Sequence, residues 1–139
     1  MELSHEEKQL IRSSYSKISD LKLEAGRLFY GRLFQLDPGL REMFHRAPIE
    51  TQAMKLMQVF DWIVERLDRV GELQEELDRL GAQHIEYGVK TEHYALVGSA
   101  LIWTLKQALG PEFDGPSEAA WIELYTYLSG QMEADESIV

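Results

Sequence analysis

The chain has 139 residues, 45% hydrophobic and 27% charged, the length and balance of one ordinary domain with room for a core and one enclosed pocket. Lys and Arg number 14 against 24 Asp and Glu, so the net charge is −10, which repels nucleic-acid backbones and anionic lipids and argues against both as partners. The absence of cysteine excludes disulfides, thiolate metal sites and cysteine nucleophiles, and the expectation is a cytoplasmic protein, because no apolar run is long enough to span a membrane and the first residues lack a secretory pattern.

In chain order, Ser4 and Glu7 are spaced as a capping box, and Leu10, Ile11, Tyr15 and Ile18 follow at helical spacing. A second helix is expected from about Asp20, with Ala25, Phe29, Leu33 and Phe34 as its apolar stripe. Pro38 disfavours helical geometry at Asp37, so the chain breaks there, and Gly39 to Phe44 is read as a single turn. Pro48 is suited to open the next helix, which carries Met54, Leu56, Met57, Phe60, Ile63 and Val64 and is expected to break near Gly71. A fourth helix runs from about Leu73 to Tyr87 and stops at Gly88. Thr91 and Glu92 open a fifth, with Tyr94, Val97, Leu101, Leu105 and Leu109, closing at Gly110-Pro111. Ser117 is assigned as the cap of the last helix, whose inner face carries Ala120, Trp121, Leu124 and Leu128. Residues 133–139 form an acidic tail expected to fray. With no hairpin signal, internal repeat or linker, the reading is a single all-α domain over 1–139. Periodicity alone leaves open a four-helix bundle, a globin or other helical packings.

The four histidines are His5, His45, His84 and His93. His5 lies in a solvated first turn. His84 lies late on its helix behind Leu77, Leu80 and Gly81, a setting that suits a satisfied core histidine as well as a ligand. The run Leu80-Gly-Ala-Gln-His84-Ile-Glu-Tyr87-Gly88-Val89, continuing through His93-Tyr94 and Val97-Gly98, resembles the proximal side of bacterial single-domain globins and of flavohaemoglobin globin domains, including small globins of thermophilic bacteria. Leu109-Gly110, Ala120-Trp121 and Tyr125 resemble the last two helices of those proteins. Leu28-Phe29-Tyr30, Leu33-Phe34, Asp37-Pro38 and Met43-Phe44 resemble their second helix and the corner after it, and Gln52 with Lys55 and Leu56 falls where the distal helix begins.

The resemblance implies a globin fold around haem b, with His84 as the iron ligand in the absence of any cysteine. Phe44 would lie against the macrocycle; Leu56, Val59 and Phe60 would wall the ligand side; Leu80, Val89 and Val97 would line the proximal and edge surfaces. Gln83 and Tyr94 are placed with these cofactor contacts, and Lys55 and Tyr87 are candidates to pair with the propionates. Tyr30 and Gln52 are the implied distal donors to a ligand that gains negative charge, and glutamine where many animal globins have histidine implies no internal sixth ligand. Tyr94 and Glu136 are the implied partners that orient His84. His45 is a weaker candidate to reach a propionate or to swing toward the iron.

The implied function is reversible binding of O₂, NO or CO, as a monomer or weak homodimer. The alternatives are nitric oxide dioxygenation using a separate reductase, since the chain leaves no room for the reductase domain of flavohaemoglobins, or a gas or redox sensor. A serine hydrolase needs a Gly-x-Ser-x-Gly elbow, which does not occur, and a di-iron bundle needs Glu-x-x-His on each of two paired helices, whereas Glu2-x-x-His5 lies at the start of the chain and Glu42-x-x-His45 in the turn that follows Gly39.

Overall fold

The computed structural model describes residues 3–44, 48–86 and 89–138, without the side chains of residues 85, 86 and 133–138. Six α-helices follow one another: α1 (His5–Ile18), α2 (Lys22–Leu36), α3 (Ile49–Glu65), α4 (Gln74–Glu86), α5 (Thr91–Leu109) and α6 (Gly115–Ile138), with no strand among the described residues.

Local chemistry sets most of the helix ends. The Ser4 Oγ accepts from the Glu7 N–H at 3.1 Å and the Glu7 carboxylate accepts from the Ser4 N–H at 2.9 Å, closing the capping box that starts α1. A 3₁₀ turn over Ser19–Leu21 then delays α2 to Lys22, two residues past the expected start. Ahead of Pro38, Asp37 is extended (φ −148°, ψ 94°), which ends α2, and the stretch to Phe44 forms a 3₁₀ helix (Pro38–Phe44).

Three further boundaries differ from the sequence reading, each for an identifiable reason. Pro48 stands just outside α3 as its N-cap, where its carbonyl accepts from the Thr51 and Gln52 N–H groups at 3.1 and 3.2 Å. The third helix stops at Glu65 rather than near Gly71, because Arg66 turns back over Trp62, its guanidinium donating to the Trp62 carbonyl at 3.1 Å and stacking 5.1 Å from the ring centre. At the start of α6 the cap is Asp114, whose carboxylate accepts from the Ser117 N–H at 2.9 Å; Ser117 itself is buried inside the first turn. The α6 backbone stays helical through 133–138. Gly110 closes α5 at φ +58°, a conformation that costs other residues free energy.

The helices pack α1 on α6, α2 on both α3 and α5, and α4 on α6. Trp121, Ile11, Leu67, Leu73, Leu77 and Leu124 are the largest side chains fully buried at the centre. Two crossings are close enough to require glycine. An ideal Cβ at Gly26 on α2 would lie 2.3 Å from the Ala53 Cβ on α3. One at Gly98 on α5 would lie 2.7 Å from the Tyr125 ring on α6. The first contact brings the start of α3 against α2, with Tyr30 one turn beyond Gly26 and Gln52 next to Ala53.

Candidate functional site

On α2, Tyr30 is buried, with its ring edge-on to Phe29 at 5.0 Å and to Phe44 at 5.3 Å. Phe34 completes this aromatic group, 6.0 Å from Tyr30 and 5.7 Å from Phe44. The Tyr30 hydroxyl forms no hydrogen bond with any described residue, and burial pushes its pKa up to about 12. On α3, Gln52, Leu56 and Val59 fall at spacings of four and three, so they share one face, and all three are half-buried. Phe60 is buried beside them.

On α4, which packs on α6, Leu77 and Gly81 are buried and Leu80 and His84 half-buried on one stripe. The His84 Nδ1 lies 2.6 Å from the Leu80 carbonyl oxygen. A carbonyl can only accept, so this nitrogen carries the proton, and the Nε2 lone pair is left available to a metal. No described residue occupies Nε2. The Val89 N–H donates to the His84 carbonyl at 2.9 Å, tying the chain after α4 back to the histidine's own backbone.

From α5, Tyr94 and Leu101 are buried and Val97 is half-buried; the Tyr94 carbonyl accepts from the Tyr125 hydroxyl at 2.6 Å. Phe44, Leu56, Val59, Leu80, Val89 and Val97 thus present incompletely covered apolar surface from both walls and the connecting segments. Lys55 and Gln83 are exposed. Tyr87 and His45, and the side chain of Glu136, lie outside the described residues. His93 turns out to be structural: its Nδ1 accepts from the Lys90 N–H at 2.9 Å and caps α5.

These features fit haem. The chain offers a histidine with its tautomer fixed, a tyrosine hydroxyl with no hydrogen bond to a described residue, and a set of half-covered apolar side chains. Leu56 lines an apolar cavity of about 30 Å³ together with Phe29, Phe60, Leu101 and Trp121.

One polar group joining α1, α2 and α3 was missed by sequence reasoning. The Tyr15 hydroxyl donates to the Asp61 carboxylate in a short hydrogen bond, and Lys22 Nζ pairs with the other Asp61 oxygen at 2.7 Å. Burial, then the Asp61 hydrogen bond and charge, raise the Tyr15 pKa. Burial pushes the Asp61 carboxyl upward, but the hydrogen bonds from Lys22 and Tyr15 outweigh it and hold the pKa below the ordinary value. These partners are 46 and 39 positions apart in sequence, and no local pattern announces them.

The family profile described as Globin matches residues 27–132. Neuroglobin-2 of Oncorhynchus mykiss is 32% identical over 143 aligned positions, spanning 94% of this chain and 90% of the relative. Neuroglobins of Chaenocephalus aceratus and Danio rerio are 34% and 33% identical with the same coverage. These relatives are fish proteins, so the narrower likeness to bacterial single-domain globins rests on the sequence motifs alone. Globins hold haem and through it bind small gases such as O₂. A match over most of its length, an all-helical architecture and relatives aligned nearly end to end place this chain in the globin family.

Proposed function

We propose that this globin holds haem b through His84 and reversibly binds O₂, with Tyr30 and Gln52 as hydrogen-bond donors on the opposite side. The observation that carries the reading is the bond between His84 Nδ1 and the Leu80 carbonyl, which presents Nε2 as a ligand atom of fixed direction. Haem, when bound, supplies the ferrous iron at which a diatomic gas binds. Phe44, Leu56, Val59, Phe60, Leu80, Val89 and Val97 exclude water and hold the macrocycle by burial. Lys55, exposed on α3, is our candidate to pair with a propionate along its aliphatic stem. Tyr94 and Glu136 support the proximal side.

The Tyr30 side chain is buried and its hydroxyl has no hydrogen bond to a described residue, so it is available as a donor to a polar gas ligand. Gln52 adds an amide donor and leaves the sixth position free of an internal histidine. Two donors on one ligand favour slow release, which also suits a second reading, nitric oxide dioxygenation driven by a separate reductase. A cytoplasmic setting fits both.

Haem titration followed by absorbance tests the reading. Wild-type chain takes up one haem, whereas His84→Ala binds it at least about 10–100-fold more weakly and recovers its spectrum when imidazole is added. An unchanged spectrum and affinity in His84→Ala would overturn the assignment.

A further inference from the structure

Tyr15 on α1 and Trp121 on α6 meet in the core with ring centres 6.5 Å apart, and Trp121 lies 6.1 Å from Phe60 on α3. Their polar hydrogens are placed very differently. Trp121 is 1% exposed, and its Nε1–H has no hydrogen-bond partner among the described residues. Tyr15 is 7% exposed, yet its hydroxyl donates to the Asp61 carboxylate, with the Met57 carbonyl at 3.1 Å as a second acceptor. Asp61 is held by Lys22 at 2.7 Å, and its side chain is 32% exposed, so a proton that reaches Asp61 can exchange with solvent.

This contrast decides where a one-electron oxidation of the core comes to rest. An indole or phenol that loses an electron becomes a radical cation, and a charge in a low-dielectric interior is costly unless its proton passes to an acceptor. Trp121 has no such acceptor among the described residues, so its radical cation stays strongly oxidising. Tyr15 has a carboxylate in place before any oxidation. Burial, together with the Asp61 hydrogen bond and charge, raises the Tyr15 pKa, so the phenol keeps its proton at rest and the electron and proton leave together. The buried Tyr30, whose hydroxyl has no hydrogen bond to a described residue, has no matching base.

We propose that Tyr15 is a redox-active tyrosine, at which oxidation entering the core at Trp121 ends as a neutral phenoxyl radical with its proton on Asp61. A one-electron oxidant strong enough to oxidise indole takes an electron from Trp121. The Trp121 radical cation takes one electron from Tyr15 and is restored. The Tyr15 O–H bond breaks, a new O–H bond forms on an Asp61 oxygen, and the unpaired electron stays on the phenol ring. Lys22 keeps Asp61 ionised at rest, ready to accept. The proposal is independent of the haem reading.

Flash oxidation of the full chain with photogenerated tris(bipyridine)ruthenium(III) supplies the oxidant. Transient absorbance follows transfer from tryptophan to tyrosine, and electron paramagnetic resonance of rapidly frozen samples identifies the radical. Wild type is expected to give a tyrosyl signal, and Tyr15→Phe to lose most of it and show a tryptophanyl signal in its place. Asp61→Asn keeps Tyr15 and the shape of the site but removes the base, and is expected to slow the transfer by about 10²-fold or more, the usual worth of a placed proton acceptor. In wild type the transfer slows in deuterium oxide, an effect that a merely structural Asp61 does not produce. Circular dichroism checks that both variants fold; if Tyr15→Phe does not, the Asp61→Asn rate and the isotope effect decide. A tyrosyl signal unchanged by Tyr15→Phe, or a transfer rate indifferent to Asp61→Asn and to deuterium oxide, overturns the proposal.

Discussion

A methyl group added at Gly26 would lie 2.3 Å from the Ala53 Cβ and 2.9 Å from the Ala53 Cα. In an exposed helix, glycine to alanine gains about 0.8–1.0 kcal/mol, because glycine has more backbone freedom to lose. Here the same change overpacks the α2–α3 crossing. Overpacking costs about 1–3 kcal/mol, and the upper end applies because the contact includes backbone that cannot rotate aside. The net expectation for Gly26→Ala is a loss of about 2 kcal/mol, or about 4–8 °C in Tm for a domain of this size. Urea denaturation followed by far-ultraviolet circular dichroism measures it. Combining it with Ala53→Gly vacates the clashing position, and the cycle is expected to show a favourable coupling of about 1–3 kcal/mol. Stabilisation of about 1 kcal/mol by Gly26→Ala alone, the value for a free helix, would refute the crossing and the placement of Tyr30 and Gln52 that depends on it.

Tyr30→Phe is expected to accelerate O₂ release by about 10²–10³-fold in stopped-flow absorbance, the cost of removing one donor from a dry site. An unchanged rate would show that the hydroxyl points elsewhere. With the Tyr30 pKa pushed up to about 12, the phenol keeps its proton through the usual tyrosine range, so wild-type O₂ release is expected to stay flat from neutral pH to about pH 10. A titration near 10 would contradict its burial. Asp61 has a folded-state pKa below its unfolded value of about 3.9, so it contributes stability that is present above that pH and lost as pH falls through the folded value. Asp61→Asn is therefore expected to cost about 1 kcal/mol near neutrality and to flatten the acid-side decline seen in denaturant midpoints, and an equally steep decline would place the acid sensitivity in other groups.

Much of the architecture is readable from local signals. The capping box at Ser4 and Glu7, the break before Pro38 and the glycine after Leu109 act within a few residues, so they appear in the sequence as they appear in the fold. Where two local candidates compete, the reading errs. Asp114 and Ser117 are both good caps, and the choice falls to Asp114 because Ser117 is drawn into the core. Arg66 ends α3 early by folding over Trp62, a contact that polarity patterns do not encode.

What the sequence by itself determined is the set of helices, the absence of thiol chemistry and the chain positions of His84, Tyr30 and Gln52, since each depends on residue type and short spacing. Tertiary structure alone decided that Gly26 meets Ala53, that Tyr15 and Lys22 converge on Asp61, and that the Tyr30 hydroxyl is left without a partner among the described residues. The physical reason is range. Caps and periodicity act over one or two turns, whereas helix crossings and buried hydrogen bonds join residues tens of positions apart, whose meeting is fixed only when the helices have packed.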